Sequence, residues 1–286
     1  MKTSRTHKLL INNQINQNTM KFYPIIILLI CFAPFLLMAQ DVVEVEGARG
    51  VGVIAGRISE IDARRDAIND AKLEALRMAG ISEHLQSYEL LFTSQRDHDF
   101  SQFFSSDIHA ELQGAVQTYE VVSELRRQNP TTNLFEIEIV INADVVKYDT
   151  QPDPTFITEV EGLRGIYEEE ELLAFSVYTT QDAYLHIFNI NDHEAYLVYP
   201  NNWEAHMLIE ANQNKEFPFG RVDYPLIKAT REIETNRLIF VFTKHPLRFR
   251  AYDGLEQSTT PESIFAWIFG ISPDLRSMVS ETFTIR

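Results

Sequence analysis

The chain has 286 residues, 45% of them hydrophobic, and its 41 acidic against 25 basic side chains give a formal charge of −16. A field of that sign repels nucleic acid and anionic lipid headgroups, so neither is an expected partner. One cysteine allows no intramolecular disulfide, and stability has to come from buried cores.

At the N-terminus, Met20-Lys21 precede an apolar run, Tyr23 to Met38, followed by Ala39-Gln40-Asp41. A positive start, a short apolar region and a small residue at the exit predict a secretory signal peptide, with Met20 a better start than Met1. Pro24 and Pro34, and a run shorter than the roughly 20 residues of a spanning helix, argue against a membrane anchor. Cys31 follows Ile30, where lipoprotein processing wants a small residue. Cleavage after Ala39 leaves 247 residues, enough for two domains of the usual ~100–150 residues each. It removes Lys2, Arg5, Lys8 and Lys21 and no acid, deepening the charge to −20. The expected protein is exported, has no transmembrane segment after cleavage, and resides in the periplasm or at the outer membrane of a Gram-negative cell.

The stretch 44–57, EVEGARGVGVIAGR, carries Gly47, Gly50, Gly52 and Gly56. A dinucleotide loop needs G-x-G-x-x-G between a strand and a helix. Here the spacing is Gly50-x-Gly52-x-x-x-Gly56 and the helical pattern opens only at Ser59, so the stretch reads as a glycine-softened strand. Ser59 to Ala79 is the strongest predicted helix, with Ser59 and Asp62 as a capping box and Gly80 beyond its end. Its expected apolar face, Ile61, Ala67, Ile68, Ala71, Ala75, Met78 and Ala79, is alanine-rich and suited to lie close to a sheet. Residues 82–110 read as a short strand followed by loop or helix. Ala115–Leu125 and Leu134–Val146 form a predicted antiparallel hairpin around Asn129-Pro130-Thr131-Thr132-Asn133. Asp149 to Pro154, polar and twice interrupted by proline, predicts a domain boundary.

Beyond it, strands are expected at Leu172–Tyr178, Ala183–Ile190, Ala195–Tyr199, Arg237–Thr243 and Glu281–Ile285. A helix over 262–268 starts behind Thr260 and Pro261 and ends at Gly270. The expected fold class is α+β. An N-terminal α/β domain, one long helix on an antiparallel sheet, occupies 40–148 behind the leader 1–39. A linker at 149–158 leads to a mainly-β, sandwich-like domain over 159–286.

For chemistry, no Gly-x-Ser-x-Gly or His-Glu-x-x-His occurs. His186, His193 and His206 have no metal spacing. Asp192 and Glu194, beside Asn189 and Asn191, offer oxygen ligands to calcium, although a hydrated hairpin tip explains the same residues. Trp203, near Tyr199, Pro200 and Asn201, offers a sugar-stacking surface, although aromatics in such folds usually pack. Asp192, Glu194, Tyr199, Asn201 and Trp203 are therefore the candidate ligand or partner contacts. No catalytic residue, metal site or cofactor is expected.

The strand "VEVEGARG", the helix "ARRDAINDAKLEALRMAGI" and the strands "LQGAVQTYEVVSE" and "LFEIEIVINADV" succeed one another over 42–147. In this they resemble the N-terminal domain of flagellar assembly protein T and related small envelope lipoproteins. The resemblance implies a compact α/β domain in the cell envelope. It does not imply a flagellum, because the chain departs from that protein beyond the linker. Residues 159–286, through "YEEEELLAFSVYTTQDAYLHIFNIND", "AYLVYPN" and "RLIFVFTKHP", resemble an uncharacterised bacterial C-terminal domain of unknown function, the 4384 family. That resemblance implies an accessory role, since such domains are appended to other modules. Neither supplies a catalytic residue to these positions.

The expected function is a non-enzymatic envelope protein, an assembly or interaction module with a protein or glycan partner. The alternative is a ligand-binding or sensory module for a cation or saccharide. A hydrolase with a site assembled only in three dimensions is the third reading.

Overall fold

The computed structural model describes residues 41–82, 85–97, 100, 103–104, 112–191, 194–204, 208–219, 222–228, 233–249 and 258–286. The signal-like segment, the cleavage position after Ala39 and Cys31 lie outside the described residues, as do Asp192, His193 and His206. The architecture is mixed α+β.

The first sheet has the order β1-β3-β2, all antiparallel: β1 is Asp41–Ile54, β2 Gly114–Gln128 and β3 Phe135–Lys147. The glycine-rich stretch is strand throughout most of its length, with a bulge between Val45 and Ala48 where Gly47 takes φ +74°. Helix α1, Glu60–Met78, lies on this sheet behind the capping box of Ser59 and Asp62. A Cβ on Gly50 would stand 2.1 Å from the Ala67 carbonyl oxygen, and one on Gly52 would stand 1.7 Å from that of Ala63. The missing side chains, with the buried row Ala63, Ala67, Ala71 and Ala75, let helix backbone rest directly on strand backbone.

The buried face of α1 differs at its ends from the expected one. Ile61 is 71% and Met78 51% exposed, while Leu73, Leu76 and Lys72 are buried. Periodicity alone favoured the isoleucine and the methionine; the close seat on the sheet turns the alanine row inward instead. Residues Leu85–Asp97, expected to begin as a strand, form a second helix, α2, which packs Tyr88, Leu91 and Phe92 into the same core. The N-terminal part therefore carries two helices rather than one.

The C-terminal part holds two sheets. One has the order β10-β6-β4, with β4 Thr158–Glu161, β6 Phe175–Thr179 and β10 Lys215–Phe217. Strand β6 begins three residues later than expected: Leu172 is half exposed and makes only an isolated bridge to Pro225. The larger sheet has the order β12-β8-β7-β11-β13-β5, with β9 also on β7. Its strands are β5 Ile166–Tyr167, β7 Ala183–Asn191, β8 Ala195–Tyr199, β9 Leu208–Ile209, β11 Glu234–Thr243, β12 Ser258–Thr259 and β13 Arg276–Ile285. Period-two alternation sorts β7 and β11 onto two apolar faces. Leu185, Ile187, Phe240 and Phe242 meet Phe175, Val177 and Phe217 of the smaller sheet in one core.

The other face, Phe188, Ile190, Ile239 and Val241, receives helix α3, Pro261–Phe269, capped by Thr260. Ile264, Phe265, Ile268 and Phe269 are buried there, and the same core cluster continues into the first sheet and its helices. Phe265 stacks on Phe100 at 4.8 Å and meets Phe103 edge-on at 6.1 Å. Residues 40–286 thus share apolar packing as one compact unit. The proline-interrupted segment after Tyr148 is irregular but fastened. Tyr148 donates to the Phe269 carbonyl, Thr150 bonds Asp274 at 2.7 Å, and Asp153 pairs with Lys244. Among the described residues no helix is long and apolar enough to cross a membrane.

Candidate functional site

A cleft of about 510 Å³ opens where α1, α2, β2 and the first turn of α3 converge. That volume lies in the range of roughly 300–1,000 Å³ typical of small-molecule sites. Its apolar wall comes from Ile68, Leu91, Phe92, Phe265 and Phe269, and polar groups reach it from Arg65, Asn69, Gln95, Gln117, Thr260 and Glu262. The walls exist because short residues hold α1 on the sheet while the aromatic face of α3 is drawn under α2.

Lys72 stands inside this cleft. It sits one turn beyond Ile68 on α1 and is only 7% exposed. Its ammonium lies 4.6 Å from the centre of the Tyr119 ring and 5.4 Å from that of Phe92. No hydrogen bond or ion pair from a described residue reaches it. Burial pulls the Lys72 amine below its ordinary range, and the Glu262 carboxylate opposes that shift. Burial raises the Tyr119 hydroxyl, with Glu262 adding to the effect. Tyr88 closes the floor: its hydroxyl donates to the Gly114 carbonyl and accepts from the Gln113 amide, both at 3.0 Å. Burial displaces its own ionisation strongly upward.

Of the residues singled out from sequence, Glu194, Tyr199, Asn201 and Trp203 do not line this cleft, and Asp192 lies outside the described residues. Tyr199 is fully buried against Phe217, 5.1 Å away edge-on, and is a core residue. Asn201 shapes a loop: its Oδ1 accepts the amides of Trp203 and Glu204 at 2.9 and 2.8 Å. The buried Glu204 carboxylate locks that loop by accepting from Asn201 Nδ2, the Phe219 amide and the Tyr224 hydroxyl. Trp203 is left 76% exposed at its tip.

Asn189 and Asn191, expected to flank a calcium site, turn inward instead. Asn189 Nδ2 donates to Asn236 Oδ1 at 2.7 Å, and Asn191 Nδ2 donates to Glu234 Oε1 at 3.0 Å. The amide of exposed Glu194 donates to Asn191 Oδ1 at 2.9 Å, which uses a further oxygen. His186 is packed, its ring 4.8 Å from that of Trp267. Among the described residues no three acidic or histidine side chains converge as metal ligands.

Sequence reasoning missed the cleft because its walls come from four separated segments. One signal was present: Lys72 interrupts an otherwise apolar stripe of α1, four residues after Ile68 and four before Leu76.

The strand β2 is a second exposed feature. It forms one edge of its sheet, and Val122 and Leu125 are more than half exposed on it. Its charged side chains reach both ways, Glu124 to Arg64 at 2.9 Å, Arg126 to Glu60 at 3.0 Å and Arg127 to Glu138 at 2.7 Å.

Comparison with curated proteins returns no match to this chain. Within the C-terminal part, residues 166–246 match the family described as "Domain of unknown function (DUF4384)".

Proposed function

We propose that the protein is an exported cell-envelope component that acts by binding, as a non-enzymatic assembly or interaction module for a protein partner. The observation that carries this reading is β2, a 15-residue edge strand whose outer half leaves backbone groups and apolar side chains uncovered among the described residues. Long free edges invite a partner strand, and natural proteins blunt them with charge, as Glu120, Glu124, Arg126 and Arg127 do here. The signal-like N-terminus and the resemblance of 42–147 to the flagellar assembly protein T N-terminal domain support an envelope setting. The C-terminal part, with its two facing sheets read as sandwich-like, serves as the accessory half.

Affinity capture from an envelope fraction tests the reading. A stable protein partner is expected with the native chain and lost with Leu125→Glu, which leaves the fold intact because the side chain is exposed. Recovery of the native protein only as a free monomer counts against it.

A second reading, recognition of a cation or saccharide at the strand-end loops, is favoured by the exposed ring of Trp203. A thermal-shift screen with calcium and glycans checks it: ligand at 100 times its Kd stabilises by roughly 2.7 kcal/mol. No shift, or a shift untouched by Trp203→Ala, removes it.

A further inference from the structure

Independently of the β2 edge, the cleft holds an ammonium that no described residue meets with a hydrogen bond or a salt bridge, the Glu262 carboxylate acting on it only from a distance. Lysine is rarely buried without a charged partner, and an ammonium carries three hydrogen-bond donors. The Tyr119 and Phe92 ring faces attract the charge of Lys72 but offer it no oxygen acceptor. Glu262 lines the same cleft on exposed surface and forms no ion pair with Lys72.

We propose that this cleft binds an organic acid, its carboxylate on the Lys72 ammonium and its apolar body against Ile68, Leu91, Phe265 and Phe269. Three observations converge on that class. Among the described residues, the charged side chains lining the cleft are Arg65, Lys72 and Glu262, an excess of one positive charge in a chain of net charge −16. The first turn of α3, from Thr260, opens on the cleft and adds the positive end of its helix dipole. The remaining wall is apolar and large enough for a body of drug-like size. A monoanion fits better than a dianion, because Glu262 repels the second charge. The wall accepts an aliphatic or an aromatic body, and the test separates the two.

Calorimetric titration of the protein with decanoate and with 3-phenylpropionate, against decanol and 3-phenylpropanol, measures the contribution of the head group. At least one acid is expected to bind, and its alcohol about tenfold to a hundredfold more weakly, the worth of a charge-assisted hydrogen bond. Lys72→Met should weaken the acid by a similar factor and leave the alcohol unchanged, while Lys72→Arg keeps part of the preference. Equal affinity for acid and alcohol, unchanged acid binding by Lys72→Met, or no binding of either acid overturns the proposal. Should Lys72→Met not fold, acetylation of the native protein read by mass spectrometry decides. Saturating acid, but not alcohol, should protect Lys72, and unaltered labelling overturns the assignment.

Discussion

Lys72 shows how one side chain sets two opposing effects. Its stem extends the apolar stripe of α1, and its ammonium is held largely out of water beside two ring faces, with Glu262 acting on it from a distance. A cation–π contact is worth about 0.5–2 kcal/mol, while burying a polar group without hydrogen bonds costs about 1–3 kcal/mol on protein mutational scales. The downward shift of the amine shows burial outweighing the two rings and Glu262, so Lys72→Met should raise stability near neutral pH in a denaturant titration. The pH dependence follows from the lowered amine pKa. Between the folded value and the unfolded value near 10.5 the unfolded chain binds more protons, so native stability rises with pH through that window. Lys72→Met should flatten this rise, and its advantage should shrink as pH approaches the unfolded value. A lysine kept at such a cost is more readily explained by binding than by folding.

At the scale of elements, the seat of α1 on β1 and β3 depends on what is missing from side chains. Gly52→Ala would place a methyl group 1.7 Å from the Ala63 carbonyl oxygen, a contact with backbone that no rotamer relieves. The helix must lift, and a loss of at least about 2 kcal/mol is expected by thermal or chemical unfolding. The glycine run was legible as strand from its valines, and the alanine-rich helix as one that lies close to a sheet. The pairing of the two was not, because periodicity names a face without naming the backbone that face will touch. Ile61 and Met78 show the consequence: both satisfy the helical spacing and both point to solvent. Helix α2 was expected to begin as a strand for a related reason, since Leu85–Asp97 has a weak pattern and gains its order from Tyr88, Leu91 and Phe92 in the shared core.

Across the whole molecule, α3 connects the two parts of the chain. Phe265 and Phe269 touch Phe103 from before the proline-interrupted segment and pack with Phe188 and Val241 from after it. Phe265→Ala should therefore cost about 3–5 kcal/mol, and calorimetry should show both parts melting in a single transition in the native protein. Two separated transitions would contradict that coupling. The segment after Tyr148 adds a polar tie. Hydrogen bonds from Lys244, Thr155 and Gln181 hold the Asp153 carboxyl well below the usual carboxylate range. A depressed folded pKa contributes stability above the unfolded value near 3.9 and loses it as pH falls below. Asp153→Asn should lower Tm at neutral pH, and the difference from the native protein should close on acidification below about pH 4.

Local pattern was sufficient for the hairpin at Gly114–Lys147, the capping box at Ser59, the longer strands of the C-terminal part and the apolar helix after Thr260, because each is marked by short-range alternation, a turn cluster or a cap. It was also sufficient to reject a phosphate loop at Gly50 and Gly52. The cleft and the inward turn of Asn189 and Asn191 depend on segments more than forty residues apart in sequence, such as Asn191 with Glu234, and the burial of Tyr199 depends on Phe217 from another sheet. Only packing brings those together: the same alternation that marks a strand leaves open which neighbour its polar residues will find. Lys72 marks the boundary between the two kinds of information. As a break in an apolar stripe it was readable in one dimension, but that the break faces a cleft walled by Tyr119, Phe92 and Glu262 became definite only when four elements closed around it.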